Sequence, residues 1–212
     1  MTNPQINVSR YYQIALWLGY FTIIYNLLEG LVSVFFGARG ETLTLFGFGV
    51  DSFIEVISGI GIVVMVLRIR RNPDTAQTPF ESTALRVTGI SFYILSIGLA
   101  VTAVYNIVTG HRPETTLPGV VISIISICIM TALVAGKRKI GSSLHSAPIL
   151  EDANCSLVCI YMSLILLAAS LIFRLTGFGL VDSIGALGLI YFSFHEGRES
   201  FKKANDLYET GE

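Results

Sequence analysis

From Val87 to Gly110, and again from Thr115 to Gly136, the chain carries no charged side chain at all. A helix that crosses the hydrocarbon core of a bilayer needs ~20 predominantly apolar residues, and each of these stretches is long enough. Four more stretches hold only isolated acids: Glu29 between Tyr11 and Ala38, Asp51 and Glu55 between Thr42 and Leu67, Glu151 and Asp152 between Ile140 and Phe173, and Asp182 between Leu175 and His195. Transmembrane strands would instead alternate apolar and polar residues over ~10 positions. The pattern therefore predicts an all-α fold, a six-helix transmembrane bundle, with spans near 11–36, 43–67, 87–110, 115–136, 143–173 and 178–195. Together these make a membrane domain over residues 11–196, flanked by a short N-terminus, 1–10, and a charged, helical tail, 197–212. The longest link runs from Arg68 to Leu85, where Arg70-Arg71-Asn72-Pro73-Asp74 reads as the start of a loop.

Composition agrees. Charged residues make up 14% of the 212 and hydrophobic ones 52%, too little charge for the surface of a soluble domain. A net charge of −1 gives no basic field for nucleic acid. Cys128, Cys155 and Cys159 all lie in apolar runs, which argues against a disulfide framework. Met1 to Gln13 lacks the basic start and cleavage site of a signal peptide, so insertion through the chain's own helices is expected.

Basic residues orient the bundle, because cytoplasmic loops collect Lys and Arg. With the N-terminus inside, Arg10, Arg68, Arg70, Arg71, Arg86, Lys137, Arg138, Lys139, Arg198, Lys202 and Lys203 fall on the inner side, against Arg39, Arg112 and Arg174 outside. An odd number of spans would scramble that split, so both termini are expected in the cytoplasm. With no targeting tail, a bacterial plasma membrane is the default location.

Ionisable residues inside a span cost ~2.5–3.5 kcal/mol each on insertion scales, and those that persist mark functional sites. Here they are acidic. Asp51-Ser52-Phe53-Ile54-Glu55 sets two carboxylates four residues apart, on one helix face. Asp51 is expected ~14 Å deep at 1.5 Å per residue. Asp152, counted from an inner end near Gly141, is expected at the same level, with no lysine or arginine at that depth to pair with either. Several carboxylates at one apolar depth cannot all stay ionised unaccompanied; protons or a cation must relieve them. Divalent ions bind such oxygens in deprotonated form, so protons and metal compete for one site. The plainer alternative is that these acids, protonated or hydrogen-bonded to serines, only fix helix packing.

Helix five adds a polar stripe. Asp152, Ser156, Cys159 and Ser163 follow spacings of four, three and four and share one face, which His145 extends toward the inner end. Cys159 or His145 would supply a softer ligand, although cysteine and serine also serve as small packing residues in membrane helices. Cys155, beside the stripe, reads as packing, and Glu151 is rotated about 100° from Asp152. Glu29, with Asn26 nearby, is a candidate for a proton relay or a second-layer contact to helix two, and a structural role is as good a reading. Asp182, near the outer end of helix six, reads as a cap or part of an outer vestibule. His195-Glu196 is no zinc-protease motif, because position 199 is Glu199. No nucleophile–base pair or phosphate loop is visible, so an enzyme is not expected.

D-S-F-I-E at 51–55, D-A-N-C-S at 152–156 and L-V-D-S-I-G-A-L-G-L-I-Y at 180–191 together resemble the transmembrane unit of the cation diffusion facilitators. The resemblance implies six helices with cytoplasmic ends and export of zinc or a related divalent cation, usually against protons and often by a homodimer. The partners it implies are thus the lipid bilayer, divalent cations, protons and a second copy of the chain, with no prosthetic group. It also implies ligands at two i, i+4 pairs, one on helix two and one on helix five. Asp51 and Glu55 match the first pair, and Asp152 matches the second member of the other. Pro148 stands where the first helix-five ligand is expected, and a proline there predicts a kink. The soluble domain that usually follows helix six is not expected in this short branch, and the histidine-rich loop is missing. Zinc leads through the resemblance alone: carboxylates by themselves suit magnesium, manganese or iron(II), while an added cysteine or histidine favours zinc, cobalt or cadmium. A membrane metal sensor or assembly subunit that moves no ion is the rival reading.

Overall fold

The computed structural model describes residues 4–39, 42–71, 78–109, 117–177 and 180–209. Six α-helices account for nearly all of them: α1 Pro4–Ala38, α2 Leu43–Arg71, α3 Thr78–Thr109, α4 Leu117–Leu144, α5 Ala147–Thr176 and α6 Leu180–Glu209. Five, α1 to α5, contain a stretch long and apolar enough to cross a membrane. The sixth is less apolar, since its second half carries the charged tail, which continues the helix as far as Glu209. Arg112 and the 72–77 part of the expected link fall outside the described residues.

The outside of the bundle is what lipid demands. Trp17, Ile24 and Leu28 on α1, and Ile94, Ile97, Val101 and Val108 on α3, project outward and stay exposed. A soluble monomer rarely shows such continuous apolar surface. The interior mixes an apolar cluster, with Leu45, Phe48, Phe92, Met130, Met162 and Leu189 fully or almost fully buried, with polar side chains: Thr22, Asn26, Glu29, Ser52, Glu55, Ser126, Ser156 and Ser163 are all buried as well. With lipid outside as apolar as leucine, close packing and interhelical hydrogen bonds hold the helices together.

The helices pack chiefly as α1 with α2, α3 with α6, and α4 with α5, while α2 also touches α3, α5 and α6. Glycines set the α1–α2 seam. A Cβ on Gly37 would lie 2.6 Å from the Phe46 backbone, and one on Gly49 would lie 2.7 Å from the Val34 nitrogen. Only hydrogen at those positions lets the two backbones approach this closely. The α3–α6 pair is closed by aromatic rings: Tyr93 stacks on Phe201 at 5.6 Å and meets Phe194 at 5.3 Å.

The turn between α4 and α5 differs from expectation. The apolar pattern predicts one span over 143–173, but α4 continues to Leu144 and α5 opens only at Ala147. His145, with φ 50°, makes the turn. Pro148 sits in the first turn of α5, where its missing N–H costs nothing, so it starts the helix rather than kinking it. At the far end Gly177, φ 65°, closes α5 by donating its N–H to the Phe173 carbonyl at 2.7 Å.

Candidate functional site

The buried hydrogen bonds fix the register of the helices around α2. Asn26 Nδ2 donates to Glu55 Oε2 at 2.8 Å, and Ser52 Oγ donates to Glu29 Oε2 at 3.1 Å, so α1 and α2 run antiparallel with these four side chains between them. The Tyr25 hydroxyl, one turn before Glu29, donates to its Oε1 at 2.5 Å. On the other side, α2 runs antiparallel to α5: Cys159 faces Asp51, and Ser58 Oγ donates to Asp152 Oδ1 at 3.1 Å.

That register corrects the expected depths. Seven residues separate Asp51 from Ser58 on α2, and seven separate Cys159 from Asp152 on α5. Asp152 therefore lies ~10 Å further along the bundle than Asp51, at 1.5 Å per residue. The expectation of a shared level counted helix five from Gly141, whereas it starts six residues later, at Ala147.

The second correction is larger. Lys137, expected in an inner loop among Arg138 and Lys139, is 2% exposed. Its ammonium lies 2.7 Å from Asp152 Oδ2 and donates to Ser156 Oγ at 2.8 Å. Asp152 thus has a lysine at its own depth, supplied by α4. A signal for this existed. The inward stripe of α4 runs Ser123, Ser126, Met130, Leu133, Val134, Lys137, Ile140 and Gly141, the three-and-four spacing of one helix face. Extending that periodicity through the basic run singles out Lys137, while Arg138 and Lys139 turn to the exposed side.

The expected stripe of α5 is in place: Asp152, Ser156, Cys159 and Ser163 are all buried, and Ser163 Oγ donates to the Cys159 carbonyl at 2.7 Å. His145 does not extend it. It lies before α5 begins, in a left-handed turn, exposed, so it cannot share the helix face assigned to it. Glu196 on α6, considered in the sequence only as part of a rejected protease motif, comes within electrostatic range of Asp51 and Cys155. Five buried oxygens have no hydrogen-bond partner among the described residues: the hydroxyls of Ser33, Ser170 and Ser193, and two that face each other's side chains between α1 and α2, Glu55 Oε1 and Asn26 Oδ1. The last two belong to side chains already bonded to each other, and in a native interior such orphaned acceptors call for water or an ion.

Asp182 is a different kind of acid. It accepts the Leu43 and Thr44 backbone N–H groups at 2.8 and 3.0 Å and the Thr44 hydroxyl at 2.7 Å. It caps α2 from α6, as the sequence reading allowed, and leaves little capacity for anything else.

Among the described residues, no three His, Cys, Asp or Glu side chains converge closely enough to hold a metal ion. In this conformation the acids form a ladder along the bundle: Asp51 beside Cys159, Glu55 beside Asn26, Asp152 beside Lys137.

Residues 20–206 match the family described as the cation efflux transmembrane domain. The chain belongs to that family. Among curated proteins it is similar to transmembrane protein 163 of Xenopus laevis, 24% identical over 189 residues, which are 88% of this chain and 66% of the relative. The chain therefore spans just under two thirds of that relative's length. The family match supports an integral membrane protein concerned with divalent cations, on the six-helix all-α frame described above.

Proposed function

We propose that this chain carries a divalent cation out of the cell in exchange for protons, with zinc as the first candidate and iron(II), manganese, cobalt and cadmium as alternatives. Asp51, Glu55 and Asp152 are the ion-binding carboxylates in this reading. Ser156 and Cys159 line the path, and Glu29, bonded to Ser52 on α2, serves as relay or support. The observation that carries the reading is the pair of orphaned oxygens on Glu55 and Asn26, buried beside an acidic ladder in a cation efflux domain. Carboxylates in a low-dielectric interior need a counter-charge, and an ion or protons supply it in turn. Rocking of helix pairs about the site would expose it to one side and then the other. A bacterial plasma membrane and cytoplasmic termini belong to the same proposal.

The test is metal uptake into proteoliposomes, with and without a proton gradient, for zinc, iron(II), manganese and cobalt. Gradient-dependent uptake of one metal, reduced at least tenfold in Asp51→Asn, is the expected outcome. Undiminished uptake in the Asp51→Asn, Asp152→Asn double variant would sink the site assignment.

One observation favours a second reading, a metal sensor or assembly subunit: no ligand group is assembled among the described residues, and Asp152 is already paired. A folded protein that binds metal and moves none, under either gradient, would decide for it.

A further inference from the structure

Among the described residues, Lys137 is the one basic side chain in the buried interior. Nothing in its position forces this. It lies seven residues before the end of α4, and its neighbours Arg138 and Lys139 reach the exposed side. A lysine near a helix end ordinarily does the same, extending its stem along the helix and leaving the ammonium in water. Lys137 instead turns inward. Its ammonium has Asp152 Oδ2 at 2.7 Å and Ser156 Oγ at 2.8 Å, and Glu55 on α2 within electrostatic range. One carboxylate and one hydroxyl in contact with the positive centre, with a second carboxylate farther off, are oxygens of the kind a hard divalent cation takes.

We infer that Lys137 is a built-in competing cation: its ammonium holds the Asp152 end of the site in this conformation, and an arriving divalent cation takes Asp152 only by expelling it. The inference rests on the reading of Asp51, Glu55 and Asp152 as ion-binding residues. Physically, a buried carboxylate left alone is costly, and a tethered ammonium removes that cost when no metal is present. The empty carrier is then free to change conformation without holding its cargo. A metal bound between Glu55 and Asp152 must displace a charge already in place, which weakens binding and eases release. No bond is made or broken; one cation replaces another. The serine on each side fits the exchange. Ser58 holds Asp152 Oδ1 from α2, so the carboxylate keeps its aim while Oδ2 changes partner.

The test uses the full chain purified in detergent, with zinc and cobalt(II) as probes. Lys137→Gln is expected to bind zinc at least tenfold more tightly than the parent and to turn over more slowly in proteoliposomes. Lys137→Arg, which keeps the charge, is expected to stay within a few fold of the parent affinity. A purely structural lysine would show the opposite, weaker binding and a less stable fold in Lys137→Gln. Folded Lys137→Gln with unchanged or weaker affinity overturns the inference. Should that variant not fold, the parent chain supplies the second measurement. Lys137 is expected to be protected from a membrane-permeant amine acylating reagent without metal and to be modified, by peptide mass spectrometry, when zinc is saturating. Protection that persists with zinc bound overturns the inference as well. A parent protein that binds neither metal overturns the ion-binding reading itself, which separates the two failures.

Discussion

Two aspartates, Asp152 and Asp182, are buried to the same degree, at 5% exposure each, and are held in opposite ways. Asp182, at the end of the bundle where α2 begins, is bonded to two backbone N–H groups and to a hydroxyl that the same residue, Thr44, contributes. The two backbone donors cannot leave without unwinding the first turn of α2. Asp152, toward the α4–α5 turn, is bonded to an ammonium and a hydroxyl, each at the tip of a rotatable side chain. Burial of an acid in a membrane bundle therefore says little about its role. What matters is whether its partners are backbone, which makes a fixture, or side chains, which leave the carboxylate able to change partner.

The contrast can be broken most forcefully at Asp152. Asp152→Asn leaves the Lys137 ammonium buried with no carboxylate against it. Removing one member of a buried ion pair typically costs ~3–5 kcal/mol, and thermal unfolding in detergent is expected to show a loss of that size. Removing both charges, in Asp152→Asn with Lys137→Met, is expected to recover most of it while metal transport stays lost. Asp182→Asn is expected to cost less, on the order of 2–3 kcal/mol, because a neutral amide oxygen still accepts one N–H but loses the charged hydrogen bonds. No second substitution is expected to restore that loss, since two of its three donors are main chain. If a side-chain change did restore it, the distinction between the two acids would fail.

The smallest and sharpest comparison is between two hydroxyls. Thr44→Val and Ser58→Ala each remove one hydrogen bond to an aspartate, from Asp182 and Asp152 respectively. Each is expected to cost about 1 kcal/mol of stability. Only Ser58→Ala is expected to change metal affinity, by a few fold in a zinc titration. Equal affinities in the two variants would mean that Asp152 is as much a fixture as Asp182.

The helices were legible in the sequence because a membrane span must be apolar along its whole length, and charge-free runs such as 87–110 and 115–136 record that directly. The inward stripe of α5 was legible for a similar reason, since Asp152, Ser156, Cys159 and Ser163 repeat with the period of a helix. The α4–α5 turn was not. Gly141 to Pro148 is mostly small or neutral, and nothing in its hydropathy separates the last turn of one helix from the first of the next. That one boundary carried the error in the depth of Asp152 and the misplacement of His145. Lys137 was hidden by its company: in Lys137-Arg138-Lys139 each residue counts equally as a loop charge until the phase of α4 is followed into the run.

The glycine seam between α1 and α2 has a consequence for how any movement is distributed. At Gly37 and Gly49 a Cβ would strike the partner helix's backbone, so there the two backbones meet with no side-chain cushion in which to slide. Asn26, Glu29, Ser52 and Glu55 therefore travel together, as points on one plank. Lys137, Asp152, Ser156 and Cys159 ride on the α4–α5 hairpin. Between plank and hairpin, Ser58 on α2 reaches Asp152 by a hydrogen bond and Asp51 meets Cys159. If the proposed carrier rocks plank against hairpin, the separation of Glu55 from Asp152 is the distance that must lengthen or shorten.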